Sequence, residues 1–250
     1  MSEGARLLAV VPARGGSQGL PGKNIRPFVG LPLIAHSILF ARLCPEIDQV
    51  VVSTDSPEIA EVARDYGADV PFLRPADLAR SDTPMWPVLR HALRSVEEAQ
   101  STSFEYLVLL DPTSPARERA DLREALQRLE KDHDAAGIVS VSVPPFNPIW
   151  HCVVNRDGYM ADLIEGAAHV QRRQDAPAVY RINGALYLWR AQFVRNEEGG
   201  WRGTGRHLLL EIPEIRAMSI DDLDQFQVAE TLVKSGLITF SWLADMEPAG

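Results

Sequence analysis

Apolar positions along this chain fall into two rhythms. Short unbroken runs, Leu7-Leu-Ala-Val-Val11, Val50-Val-Val-Ser-Thr54, Tyr106-Leu-Val-Leu-Leu110 and Ile138 to Val143, read as strands buried on both faces. Between them the apolar residues recur at helical spacing. One helix is predicted from Leu33 to Leu43, stopping before Pro45. A second opens at Asp55-Ser-Pro-Glu58, with Pro57 in its first turn and Glu58 facing the positive end of the dipole, and Gly67 closes it. A third covers Met85 to Ala99 with Asp82 or Thr83 as its cap, and a fourth covers Ala120 to Lys131. Strand and helix in alternation predict an α/β fold, a mostly parallel sheet with helices on both faces.

After the fourth strand the alternation breaks. Pro144-Pro-Phe-Asn-Pro-Ile-Trp150 reads as non-helical, and Asn155-Arg-Asp-Gly158 is a turn signal between short β-like runs. Ala185 to Trp189 and Leu208 to Ile212 read as further strands, and Leu223 to Ser235 as a last helix, with a frayed tail after Ala244. The chain is therefore divided into an α/β domain, 1–143 and 181–244, and an insertion, 144–180. Phe146, Ile149 and Trp150 stand among prolines there, as exposed apolar residues of an interface do.

Composition narrows the function classes. The chain has 250 residues, 46% hydrophobic and 24% charged, enough for one full-size α/β domain without a disulfide or metal staple. A formal net charge of −9 argues against a nucleic-acid binder, which carries a basic stripe. The two cysteines, Cys44 and Cys152, have no metal spacing and fit a reducing cytosol, so a cytoplasmic protein is expected. No apolar run reaches signal-peptide length at the N-terminus or the ~18 residues of a membrane helix elsewhere.

The most informative segment is Pro12-Ala-Arg-Gly-Gly-Ser-Gln-Gly-Leu-Pro-Gly-Lys-Asn24. It follows the first strand directly, where open α/β sheets bind ligands. Glycines at 15, 16, 19 and 22 permit positive φ and close approach of backbone amides to a ligand, and successive amides cradle phosphate. Arg14 and Lys23 bring charge to neutralise it, and Lys23 is the only lysine before residue 131. The loop is neither a Walker motif, since positions 17 and 24 are Ser and Asn, nor a dinucleotide fingerprint, since Arg14 stands two before Gly16.

This segment closely resembles the signature of the acylneuraminate cytidylyltransferases, the CMP-sialic acid synthetases. Val51-Val-Ser-Thr-Asp55, Arg74-Pro-Ala, Leu109-Leu-Asp-Pro-Thr-Ser-Pro115, Arg172-Arg-Gln-Asp175, Tyr180-Arg-Ile-Asn-Gly-Ala185 and Ser219-Ile-Asp221 resemble further family blocks, in family order. The resemblance implies a Rossmann-like nucleotidyltransferase fold, a homodimer formed through the insertion, and Mg²⁺ as cofactor. It also implies the reaction, in which the anomeric hydroxyl of a nonulosonic acid attacks the α-phosphate of CTP and releases pyrophosphate. By motif position Arg14, Gly15, Gly16, Ser17, Lys23, Asn24 and Arg74 would bind the nucleotide, with Arg14 and Lys23 on the phosphates and Arg74 near base or ribose. Arg173, Gln174, Asn183 and Tyr187 match the sugar side, with Arg173 reaching a neighbouring subunit. The alternatives are a solvated pair for Arg172 and Arg173 and a core role for Tyr187.

The sequence departs from the family at several places. Gln18 replaces a lysine, Met85 and Trp86 replace small hydroxyl residues near the base, and Ser219 replaces the first acid of an Asp-Ile-Asp metal triplet. Asp111 and Asp221 are then the expected Mg²⁺ pair, because Mg²⁺ takes one or two carboxylates and completes its shell with phosphate and water. The competing assignments are a turn cap or a sugar contact for Asp111, and a cap of the last helix for Asp221. The identity of the sugar acid stays open, as does a guanylyl-transferring variant. A glycosyltransferase of related architecture would need an Asp-x-Asp, which Asp111-Pro-Thr113 lacks, and an inactive binding homologue is the remaining alternative.

Overall fold

A buried strand, β1 (Leu7–Pro12), leads into the glycine loop and a small hairpin of β2 (Pro27–Phe28) and β3 (Leu31–Pro32). There follow α1 (Leu33–Leu43), β4 (Gln49–Ser53), α2 (Pro57–Asp65), α3 (Met85–Gln100), β5 (Tyr106–Leu109), α4 (Arg119–Lys131) and β6 (Gly137–Ser142). Next come α5 (Pro148–His151) and the hairpin of β7 (Val153–Arg156) and β8 (Tyr159–Asp162). The chain closes with β9 (Arg181–Arg190), α6 (Ala191–Asn196), β10 (His207–Glu211), α7 (Leu223–Lys234) and α8 (Ser241–Ala244). This computed structural model describes residues 6–17, 19–170 and 172–244, excepting the side chains of Arg173 and Ala244. The expectations for Gln18, for the Arg173 side chain and for the tail after Ala244 therefore lie outside the described residues.

Six strands form one sheet in the order β10-β6-β9-β5-β1-β4. β1 runs parallel to β4 and β5, and β6 parallel to β10, whereas β9 is antiparallel to both its neighbours. The unbroken apolar runs follow from burial on both faces. Leu7, Ala9 and Val11 of β1 enter the larger core with α1 and α4, while Leu8 and Val10 enter a second core with α3 and α6. The insertion leaves the sheet after β6 and returns as β9, and it carries its own two-stranded sheet. Its turn signal is a tight hairpin: Arg156 pairs with Tyr159, and Asp157 and Gly158 take φ of 54° and 86°. Among the described residues no helix is long and apolar enough to cross a membrane.

Several expectations are corrected. Pro148–His151 is one helical turn, started by Asn147, whose side chain accepts from the Ile149 amide; the prolines around it limit its length. α3 has Pro84 at its cap position with no side-chain cap, because Asp82 pairs with Arg80 and Thr83 Oγ1 donates to the Asp77 carbonyl. Of the four loop glycines only Gly22 has positive φ, 66°. Gly19 is needed for a different reason: a Cβ there would sit 2.3 Å from the Asp221 carbonyl oxygen.

Candidate active site

The loop after β1, the turn after β5 and the start of α7 converge at the carboxyl edge of the parallel strands. They enclose a cavity of about 320 Å³ lined by Arg14, Ser17, Gly19, Lys23 and Asn24 on one wall, and by Arg74, Met85, Asp111 and Asp221 on the others. A second cavity of about 350 Å³, lined by Arg181, Asn183, Gly184, Tyr187 and Ser219, shares Asp111, Thr113 and Asp221 with the first. The cleft thus has two lobes, one rich in cations and one in polar and aromatic groups, and two carboxylates stand at their junction.

The loop holds its shape through its own side chains. Asn24, buried, donates from Nδ2 to the Arg14 carbonyl at 3.1 Å and so fixes the segment that carries Arg14. Gly15 and Gly16 are not among the residues that line the cavity. The Gly15 amide donates instead to Asp55 Oδ1 at 2.9 Å. Lys23, whose side chain is only 11% exposed, reaches Asp221 Oδ1 at 2.9 Å.

Asp221 does not cap α7, because Asp222 does, accepting from the Gln225 amide. Ser219 Oγ donates to Asp221 Oδ2 at 2.7 Å and so orients that carboxylate. Partial burial works to raise the Asp221 pKa, but the hydrogen bonds from Lys23 and Ser219, with the Lys23 charge, outweigh it and hold it low.

Asp111 folds back on its own turn. Its Oδ1 accepts from the Thr113 amide at 3.0 Å and from Thr113 Oγ1 at 2.9 Å, while Oδ2 has no hydrogen-bond partner among the described residues. The turn-cap assignment therefore describes one oxygen and leaves the other available to a ligand. The backbone of Asp111 is anchored by Arg117, which the sequence did not single out. Arg117 is fully buried and donates to Ser37 Oγ at 2.9 Å and to the carbonyls of Asp111 and Ala185, joining α1, the β5 turn and β9. Burial lowers its pKa to about 10, opposed by the charge of Asp111.

Arg74 lines the first lobe but is buried, and it is tied to the end of β4. Its Nε donates to Ser53 Oγ at 3.1 Å and its Nη2 to the Ser53 carbonyl. Burial lowers its pKa to about 10, so it stays charged at neutral pH. Met85 lines this lobe. Trp86 does not: it packs edge-on to Trp189 in the second core and donates to the Glu197 carbonyl at 2.8 Å.

On the sugar side Asn183 is a structural bracket. Its Oδ1 accepts from Ser140 Oγ at 2.6 Å and from the Ala185 amide at 3.1 Å, and its Nδ2 donates to Ser142 Oγ at 2.9 Å. These bonds stabilise the irregular register of β9 against β6, where Gly184 takes φ of 76° beside Ser114. Its side-chain oxygen is thus committed within the fold, while Asn183 still lines the second lobe. Tyr187 stacks on Trp189 with ring centroids 5.6 Å apart, and burial, with the charge of Asp111, pushes its hydroxyl up to about 12. Gln174 is exposed and lines neither lobe. Arg172 forms an exposed pair with Asp175 at 2.6 Å.

Comparison with known proteins adds independent findings. The cytidylyltransferase family model matches residues 8–199. The chain is 34% identical over 232 residues to a CMP-N,N'-diacetyllegionaminic acid synthase of Legionella pneumophila, covering 92% of this chain and 97% of that protein. It is 32% identical over 231 residues to a post-translational flagellin modification protein B of Campylobacter coli, covering 92% and 96%. The fold is similar to that of a CMP:2-keto-3-deoxy-manno-octonic acid synthetase solved with CTP, with a TM-score of 0.68, 16% identity, and 92% and 99% of the two chains covered.

Proposed function

The chain belongs to the cytidylyltransferase family, and from that premise we propose that it joins CTP to a sialic-acid-like nonulosonic acid, giving the CMP-sugar and pyrophosphate. The observation that carries this reading is the two-lobed cleft, whose cation-lined lobe suits a nucleoside triphosphate and meets the second lobe at Asp111 and Asp221. A phosphorus atom bound at that junction is open to attack from the second lobe. The sugar's anomeric hydroxyl bonds through its oxygen to the α-phosphorus and gives up its proton to solvent, the bond to the β-phosphate oxygen breaks, and pyrophosphate leaves toward the glycine loop. Such transfer needs placement and charge neutralisation more than covalent help from the protein.

Arg14 and Lys23 neutralise the phosphates, with Ser17 beside them. Asn24 acts through the loop, by holding the Arg14 backbone. Arg74, pinned on Ser53, presents its remaining N–H donors to base or ribose. The cleft's donor set also suits Mg²⁺: among the described residues Asp111 Oδ2 has no partner, and Asp221 would become available once Lys23 turned to phosphate. Among the described residues no group of three His, Cys, Asp or Glu offers a rival metal site. When bound, Mg²⁺ supplies charge neutralisation on the triphosphate.

The assembly we propose is a homodimer through 144–180, with Arg173 reaching the partner's acceptor lobe. Exposed Phe146, Trp150, Tyr159 and Met160 on the insertion support it. A cytoplasmic location suits the two free cysteines, Cys44 and Cys152. Pyrophosphate release from each nucleoside triphosphate, with a panel of 2-keto sugar acids, tests the reading. Release is expected with CTP and a nonulosonic acid; none from any pair, or a preference for GTP, overturns it.

A further inference from the structure

A carboxylated acceptor brings a negative charge into a lobe that already holds Asp111 and Asp221. The cations lining that lobe and its junction are engaged. Arg181 donates from Nε to both carboxylate oxygens of Glu214 at 3.0 Å, and from Nη2 to Glu214 Oε1 at 2.8 Å and the Ala217 carbonyl at 2.7 Å. Lys23 is held by Asp221. A carboxylate brought there gains from a further cation that no carboxylate of this chain already holds.

The loop between α6 and β10 supplies a free cation. Gly200, Gly203 and Gly205 take φ of 100°, 84° and 65°, conformations that fold this segment over Trp86 and the second core. Thr204 Oγ1 donates to the Gly200 carbonyl at 2.7 Å, and His207 Nε2 lies 3.0 Å from the Trp201 carbonyl, so the loop is fixed. Trp201 stands edge-on to Tyr187, centroids 5.8 Å apart at 64°, and Tyr187 lines the acceptor lobe. The Arg202 guanidinium carbon lies 5.5 Å from the centroid of the Trp201 ring. Arg202 is exposed, and among the described residues it forms no ion pair or hydrogen bond. Its charge is felt at the Tyr187 hydroxyl, where it opposes the burial and the Asp111 charge that raise that group.

We infer that Arg202, seated on Trp201 beside Tyr187, receives the carboxylate of the acceptor and so helps select carboxylated sugars. A guanidinium matches a carboxylate with two parallel donors, and stacking on an indole limits the freedom lost on binding. The assignment rests on the reaction proposed above. It deepens that reading by giving the acceptor's charge a receptor on this chain's own loop.

Steady-state kinetics with CTP and acceptor varied separately test it, on wild type, Arg202→Gln and Arg202→Lys. Arg202→Gln is expected to raise the acceptor KM about ten- to a hundredfold with the CTP KM unchanged, and Arg202→Lys to recover part of the loss. Thermal unfolding of both variants is expected to match wild type, since the side chain is exposed. Wild-type turnover with an acceptor KM that Arg202→Gln leaves unchanged overturns this assignment alone, the more directly if Arg173→Gln raises that KM instead. A wild-type protein that transfers no nucleotide to any 2-keto sugar acid overturns the reaction and this assignment together.

Discussion

Lys23 Nζ lies 2.9 Å from Asp221 Oδ1, joining the loop after the first strand to the start of α7 across 198 positions of sequence. In the proposed reaction each partner has another task, the lysine on phosphate and the carboxylate on Mg²⁺. Nucleotide and metal therefore enter best together, because either alone leaves one charge without its partner. Asp221→Asn is expected to tighten CTP binding in the absence of divalent ions, since Lys23 is released, and to abolish the gain that Mg²⁺ gives. Equilibrium binding in chelator and in Mg²⁺ measures both; equal metal dependence in variant and wild type contradicts the pairing role.

Lys23→Ala is expected to lower turnover by roughly a hundred- to a thousandfold while the fold is kept, the range for losing a charged donor from a water-poor site. Circular dichroism and single-turnover kinetics check the two halves separately. Near-normal turnover removes Lys23 from the phosphates.

Gly19→Ala places a methyl 2.3 Å from the Asp221 carbonyl oxygen, so one of two backbones has to move. The shift displaces Asp221 from Lys23 without touching either side chain. Activity is expected to fall with little change in melting temperature, and an unaffected KM for Mg²⁺·CTP goes against this account.

Much of this was legible in the chain, and the limits have physical causes. The unbroken apolar strands came through because burial on both faces leaves a continuous apolar run, and the helix of Leu33 to Leu43 because it is buried on nearly every side and so is long and mostly apolar. The direction of β9 did not, since a strand buried on both faces carries the same pattern whether its neighbours run with it or against it. The convergence of Arg14, Lys23, Asp111 and Asp221 was readable because strand ends and the glycine loop share one sheet edge. The bracketing role of Asn183 left no mark, because an amide that satisfies a bulge and one that binds a hydroxyl look alike in sequence. Arg117 gave no signal because its partners are distant in the chain, and Arg202 none because only the fold brings its neighbour Trp201 against Tyr187.

His36 makes the fold sensitive to acid. Its Nε2 lies 2.8 Å from the Phe28 carbonyl, and its Nδ1 3.0 Å from Trp242 Nε1, an indole that can only donate. The ring is therefore neutral, with its proton on Nε2. Burial lowers its pKa from 6.5 to about 4, the Phe28 carbonyl working against the shift. The unfolded chain takes the proton first, so stability is whole above pH 6.5 and falls as the pH drops toward 4. A loss of about 2 kcal/mol between pH 7 and pH 5 is expected from this group. Urea unfolding of wild type and His36→Gln checks it, the variant showing the flatter dependence over that window.

The insertion's exposed residues set the expected assembly. Tyr159 and Met160 are 79% and 77% exposed on the β8 strand, with Phe146 and Trp150 also exposed in the segment before β7. Light scattering is expected to give a dimer, and Tyr159→Ser with Met160→Asp to shift it toward monomer and raise the acceptor KM. A fully active monomer at assay concentration excludes the shared site.

The central claim is that the two lobes bring a triphosphate and a sugar acid together at Asp111 and Asp221. Phosphorus NMR of protein, Mg²⁺, CTP and a nonulosonic acid tests it most directly. The account predicts that the triphosphate signals give way in equal amounts to pyrophosphate and one phosphodiester, only when the acid is present. Pyrophosphate appearing without the acid, or triphosphate persisting with every acid of the class, contradicts it.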